Sequence, residues 1–383
     1  MKEIDNNNNI NINLDRIKEM EGTESNINLD EIEELNKTNF KFELITKIKI
    51  ENIIEKIIEL PQDKIGILCE FNYDKSIFLI YSSKTFKMIK QFELFFNDAV
   101  KTEDNNLVLS NEYNIYYYEL IDKEYKLIQE IQCYEKEEGK KCFGFGGYRR
   151  DSIDFIHPLK NGNLIVINGK EMKIYKKDNG KFIYDKTLNC DYYIQKKIFE
   201  IKPNIIVLFS MENAGSSCCV ETFYYSISLY NIQNDEKNIN PKIFRYDDDN
   251  NDNERPFLKI DNHLIAKYAD CLDIYDIEQN MKLINEDDYE IIKTKSWYSE
   301  EEEEDRKLKY EAPFKLFKEE LKNNFILATN NYGESFVYKY ENKSFKICQK
   351  FPFDLEDVNI IKLKNGKLII YIQDEIKVIK TFY

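Results

Sequence analysis

Two histidines, His157 and His263, and eight cysteines, at positions 69, 133, 142, 190, 218, 219, 271 and 348, are the residues most able to do nucleophilic or metal chemistry here. A hydroxyl or thiol nucleophile needs a base within hydrogen-bond reach, and a zinc site needs closely spaced Cys or His ligands. The chain holds no Cys-x-x-Cys pair and no G-x-S-x-G turn. Asp247, Asp249 and Asn251 alternate as calcium ligands would, but Asp252 and Leu258 stand where the loop requires Gly and Glu. The glycines of CFGFGG at 142–147 lack the spacing of a phosphate loop. No catalytic, cofactor or metal residue is therefore assigned, and the reading is non-enzymatic. Two of the seventy acids could still meet in a shared pocket, so a channel-sited hydrolase or lyase stands as the alternative.

Binding chemistry is better represented. The only tryptophan, Trp297, sits beside Tyr298 and five consecutive glutamates in KTKSWYSEEEEED at 293–305. Phe143, Phe145, Tyr148 and Arg149 cluster in YEKEEGKKCFGFGGYRR at 134–150. Aromatic and Arg side chains dominate the energetics of protein interfaces, so these six are the candidate partner-binding residues. The glutamate run reads as a solvated or disordered stretch.

The elements that would position them repeat. The pattern aromatic-Lys-apolar-apolar-x-x-apolar reads FKMIKQF at 86–92, YKLIQEI at 125–131 and FKICQKF at 345–351, with looser copies FIYDKTL at 182–188 and MKLIN at 281–285. Each follows a short strand closing on Tyr81, Tyr118, Tyr175, Tyr230, Tyr275 or Tyr338, with Ile379 in the last copy. Earlier still comes a run of four to eight apolar residues, as in LKNGNLIVI at 159–167 and its near duplicate LKNGKLIIY at 363–371. Such runs, bounded by turn signals, predict buried strands. The Tyr-to-Tyr spacings of 37, 57, 55, 45 and 63, then 41 to Ile379, bracket the ~40–45 residues of a four-stranded propeller blade. The final copy ends at Tyr383 without an outer strand, and FELITKI at 42–48 has that strand's pattern. The expected fold is all-β: a seven-bladed propeller over residues 39–383, closed by an N-terminal outer strand that completes the last blade.

From about residue 40 onward the chain resembles the WD40 superfamily of β-propellers in strand pattern and ring closure. No Gly-His pair begins a repeat, Tyr stands where that family has Trp, and only Tyr275-Asp276 keeps the following Asp. The resemblance implies a scaffold or adaptor that binds partner proteins. The insertions at 134–150, 211–222, 248–256 and 286–311 are expected on one face, where loops on a rigid scaffold carry binding.

Residues 1–38 are Asn-rich and acidic, a composition expected to be disordered, and they repeat one phrase, NINLDRIKEM at 11–20 and NINLDEIEEL at 26–35. The net charge of −15 argues against nucleic acid and anionic membranes as partners. No apolar run approaches the ~18 residues of a membrane span. The start MKEIDNNNNI has no apolar leader, so reduced thiols and a cytoplasmic location, with the nucleus possible, are expected, either as a monomer or as a subunit of a complex.

Overall fold

The computed structural model describes residues 40–382 except 73–74, 136–151, 191–192, 218–219, 234–235, 238–241, 248–256, 269–270, 280–281, 284–288, 296–301, 309–315, 322–323, 331–332 and 356–357. The arm at 1–38 thus lies outside the described residues.

Among the described residues seven antiparallel sheets of four or five strands follow one another along the chain, with a further two-stranded sheet between the fifth and sixth. Blade 1 runs over 54–96, blade 2 over 98–132, blade 3 over 155–189, blade 4 over 193–247, blade 5 over 257–283 and blade 6 over 316–350. Blade 7 takes its inner three strands from Asn359–Lys362, Lys367–Ile372 and Glu375–Phe382, and its outer strand from Lys41–Lys49. In that outer strand Phe42 lies opposite Thr381 and Ile48 opposite Ile376, so the two ends of the chain are sewn into one sheet. This is the seven-bladed propeller with the closure expected from FELITKI. The Tyr81, Tyr118, Tyr175, Tyr230, Tyr275, Tyr338 and Ile379 series falls on the third strand of every blade.

The core is divided into seven apolar clusters, one at each blade junction. Ile65, Ile67 and Cys69 of blade 1 pack with Ile369 and Val378 of blade 7, whereas Leu68, Phe78 and Ile80 pack with Leu107 and Leu109 of blade 2. A blade is thus buried on both faces, which is why its second strand reads as an unbroken apolar run. Each fully buried Ile or Leu contributes about 1.5–3 kcal/mol.

The outer-strand pattern has a structural cause. Five blades carry a register shift opposite the third-strand Tyr or its Ile379 equivalent: at Ile45, Ile89, Ile128, Asp185 and Cys348. An extra residue there reverses the alternation of side chains. The first residue of the pattern then packs toward the preceding blade and the seventh toward the next. Tyr125 joins the junction with blade 1 and Ile131 that with blade 3, while Phe345 joins the junction with blade 5 and Phe351 that with blade 7.

With few glycines, the turns rely on residues that tolerate left-handed backbone. Every turn between first and second strands has one: Asp63, Asn105, Gly162, Asn204, Asp261, Asn324 and Gly366 all have positive φ.

Blades 4 and 5 depart from the pattern. The insertion at 211–222 is a continuation of the blade 4 hairpin, with strands Ile205–Ser217 and Val220–Asn231 paired out to Ser217 opposite Val220. The outer strand of blade 4 is split, and its longer part, Lys242–Asp247, pairs with that extension. Among the described residues the outer strand of blade 5 spans Lys282–Leu283. Part of the glutamate run lies in the strand Glu302–Leu308, paired with Tyr289–Lys295. The register sets Lys295 opposite Glu302 and Lys293 opposite Glu304.

Candidate protein-docking face

The ring has two unlike faces. On one lie the turns between first and second strands and between third and fourth. These are tied from blade to blade: Lys364 N donates to Glu59 Oε1 at 2.8 Å, Lys64 Nζ to Lys123 O at 2.7 Å, Lys160 N to Glu200 Oε2 at 2.5 Å and Asn324 Nδ2 to Asp261 Oδ2 at 2.6 Å. Lys177 joins blade 3 to Asp104 and to the buried Tyr117 of blade 2, donating to the phenol oxygen at 2.7 Å. The Tyr117 hydroxyl pKa is pushed up by burial, and Lys177 opposes that rise.

The other face is where the chain has grown. The segments 134–150, 248–256 and 286–311 connect one blade to the next, and 211–222 extends the second-to-third-strand hairpin of blade 4, so the blade strands that flank all four end on this side. Charge follows the same division. Residues 1–38 hold ten acidic and four basic residues and the four insertions twenty and eleven, leaving forty of each sign elsewhere. The rest of the propeller is therefore neutral, and the net charge belongs to the arm and the four insertions.

Among the described residues this face exposes an aromatic pair on blade 1. Phe71 ends the second strand and Phe95 ends the outer strand; they are 50% and 38% exposed with ring centroids 5.8 Å apart. Lys75 Nζ lies 4.8 Å from the Phe95 centroid, within cation–π range. Ile53, in the connector into blade 1, is 52% exposed on the same side. The candidates named from sequence lie outside the described residues: Trp297 and Tyr298 in the segment joining Tyr289–Lys295 to Glu302–Leu308, and Phe143, Phe145, Tyr148 and Arg149 in 136–151. Tyr134, which leads into the latter segment, is buried against Lys173, whose Nζ is 3.6 Å from its ring centroid, and donates to Glu171 Oε2 at 3.0 Å. Phe71 and Phe95 went unrecognised because nothing marks them among 25 phenylalanines; only a place next to the last residue of a strand could have flagged them.

The centre of the ring is occupied by structural polar contacts. Asp98, on the inner strand of blade 2, accepts Lys56 Nζ of blade 1 at 2.6 Å through Oδ1 and Ile156 N of blade 3 at 2.9 Å through Oδ2. His157 follows on the blade 3 strand. Burial of its ring, with Lys56 nearby, lowers its pKa to about 4 against the opposing pull of Asp98, so it is neutral at pH 7. A cavity of about 310 Å³ opens between the inner strands of blades 1, 2, 3 and 7, lined by Lys56, Ile58, Glu59, Ala99, Val100, Lys101, Pro158 and Ile361. Glu59 is the single acid on its wall, so no carboxylate pair faces the cavity. His263 instead meets Tyr340 across the blade 5–6 junction, Nδ1 to Oη 3.2 Å. Among the described residues no cluster of His, Cys, Asp and Glu could hold a metal ion, and no helix is long and apolar enough to cross a membrane.

No protein-family model matches the sequence, and no curated protein does. Solved structures do match by shape. A chain of a crystal structure of the mitotic checkpoint complex superposes with a TM-score of 0.53 at 7% identity, covering 89% of this chain and 95% of the other. The Saccharomyces cerevisiae protein Sqt1 gives a TM-score of 0.48 at 9% identity, covering 88% and 98%. The likeness is one of fold. With the seven sheets and their closure, it makes this a WD40-like seven-bladed propeller, as the strand pattern implied. The blade lacks the Trp-Asp ending of that pattern, and buried tyrosines such as Tyr175 and Tyr338 fill the strand-end position.

Proposed function

We propose that this propeller is a non-catalytic scaffold that binds partner proteins through its insertion-bearing face. The observation that carries the reading is the asymmetry of the ring. One face is shut by short turns bonded blade to blade, and the other gathers four insertions, the acidic excess and the exposed Phe71–Phe95 pair. Exposed aromatics beside charge are the usual composition of an interface centre and rim. The acidic surplus favours a partner with a basic docking segment, because complementary potentials speed encounter and set register. Trp297, Tyr298, Phe143, Phe145, Tyr148 and Arg149 are proposed as further contacts on that face. The shape likeness to a chain from a multiprotein complex supports a scaffold role. A cytoplasmic or nuclear setting is proposed with this role.

The test is quantitative crosslinking and mass spectrometry in native extract with the full chain, a Δ286–311 chain and Phe71→Ser/Phe95→Ser. Lys123→Ser, on the opposite face, is the control. Partners that disappear with the first two changes and persist with the control support the reading. A partner set indifferent to both changes overturns it.

A further inference from the structure

The outer rim carries a second surface, independent of the docking face. On four successive blades the outer strand turns two consecutive apolar side chains outward, at the register shift on blades 7, 1 and 2 and just before it on blade 3. They are Leu44 and Ile45 on blade 7, Met88 and Ile89 on blade 1, Leu127 and Ile128 on blade 2, and Ile183 and Tyr184 on blade 3, all 37–56% exposed. The matching position on blade 6, Ile347 and Cys348, is covered. A recurring apolar row on the outermost strands of a protein with one-third charged residues calls for an occupant.

Three features name it. The chain outside the described fold ends at this place: Phe40 is buried against Phe325 of blade 6, and the blade 7 outer strand begins one residue later. The reach also suffices. Leu35 is five residues before Phe40, at most ~17 Å of chain, and Leu44 lies about 13 Å into the strand. The first copy of the duplicated phrase begins fifteen residues before the second, up to ~50 Å of chain, enough for the neighbouring blade. Charge agrees as well. The second copy holds Asp30, Glu31, Glu33 and Glu34, and the blade 7 strand offers exposed Lys41, Lys47 and Lys49 against one acid, Glu43. Both copies space their apolar residues by three: Leu14, Ile17, Met20 and Leu29, Ile32, Leu35.

We infer that residues 11–35 pack back on the propeller's own rim, the second copy over Leu44 and Ile45 and the first over Met88 and Ile89. The number of copies then matches the blades within reach, and the rim pairs of blades 2 and 3 stay open.

Hydrogen exchange by mass spectrometry tests this on the full chain, on Δ1–38, and on the full chain with Leu14→Ser, Ile17→Ser, Leu29→Ser and Ile32→Ser. Both altered chains are expected to exchange at least ~fivefold faster at 41–49 and 86–96, with 124–132 and 181–189 unchanged. A synthetic 9–36 peptide added to Δ1–38 should restore the protection, and Met88→Ser/Ile89→Ser should abolish it at blade 1 alone. Equal exchange in all three chains overturns the inference. So does a rise of the same size on every blade, or protection that grows with protein concentration, which would mean a second copy covers the rim.

Discussion

Replacing Asp98 by Ala tests whether the inner strands are held by one carboxylate. The side chain is 8% exposed and accepts three donors: Lys56 Nζ at 2.6 Å, Ala99 N at 2.8 Å and Ile156 N at 2.9 Å. The ion pair itself is worth little, under ~1 kcal/mol, because Lys56 is 38% exposed and can return to water. The two backbone donors are buried, and each left without an acceptor costs about 1–3 kcal/mol. The sum is ~3 kcal/mol for Asp98→Ala, against less than ~1 kcal/mol for Lys56→Met. With an unfolding entropy of about 2.1 cal/mol/K per residue over ~340 residues, 3 kcal/mol lowers Tm by about 4 °C. Urea unfolding followed by far-UV circular dichroism, repeated at two equilibration times, measures both variants. If the two lose the same stability within ~0.5 kcal/mol, the backbone donors are satisfied some other way and the reasoning fails.

Three further outcomes follow from the packing and the electrostatics. A Cβ on Gly66 would run into the ring of the fully buried Phe78 and stand 3.0 Å from Ile58 Cγ1, so Gly66→Ala should cost about 1–3 kcal/mol, and Phe78→Leu in the same chain should recover part of it in a denaturation cycle. His157 titrates near 4 when folded and near 6.5 when unfolded, so its contribution is complete above pH 6.5 and lost as pH falls toward 4; the urea midpoint of His157→Gln should lose less of its value between pH 7 and 4.5 than that of the wild type. Deleting Ile128 removes the extra residue of the blade 2 outer strand and points Ile131 away from its junction, so thermal scans should show a loss of more than ~1 kcal/mol, while Ile128→Ser stays within ~0.5 kcal/mol.

The fold was legible because the same physical demand recurs seven times. A third strand that must end in a seam-filling side chain leaves a Tyr or Ile at each repeat, and a second strand buried on both faces leaves an apolar run. The register shift hid inside the pattern it causes. Phe345 and Phe351 are six residues apart, which in a regular strand would place them on one face, yet they serve opposite junctions. Blade 4 showed no outer-strand copy because that strand, Lys242–Asp247, pairs with an extended hairpin instead of the usual third-strand segment. The face proposed for docking was expected from connectivity, since segments between blades start and end on one side of the ring. Its described aromatics were not, because exposure at Phe71 depends on where a strand stops. Asp98 was equally silent: one acid among seventy shows its role only when three blades meet around it.

The outer strand supplied from the N-terminus also sets a timetable. Phe42 leaves the ribosome on the order of 340 residues before its neighbour Thr381. At about 5–20 residues per second that is a wait of roughly 20–70 s. Throughout it, strand Lys41–Lys49 has no sheet to join, and the nascent ring is open at both ends. Closure is therefore the last event of folding, and a chain stopped short of blade 7 leaves two sheet edges for chaperones or proteases to find.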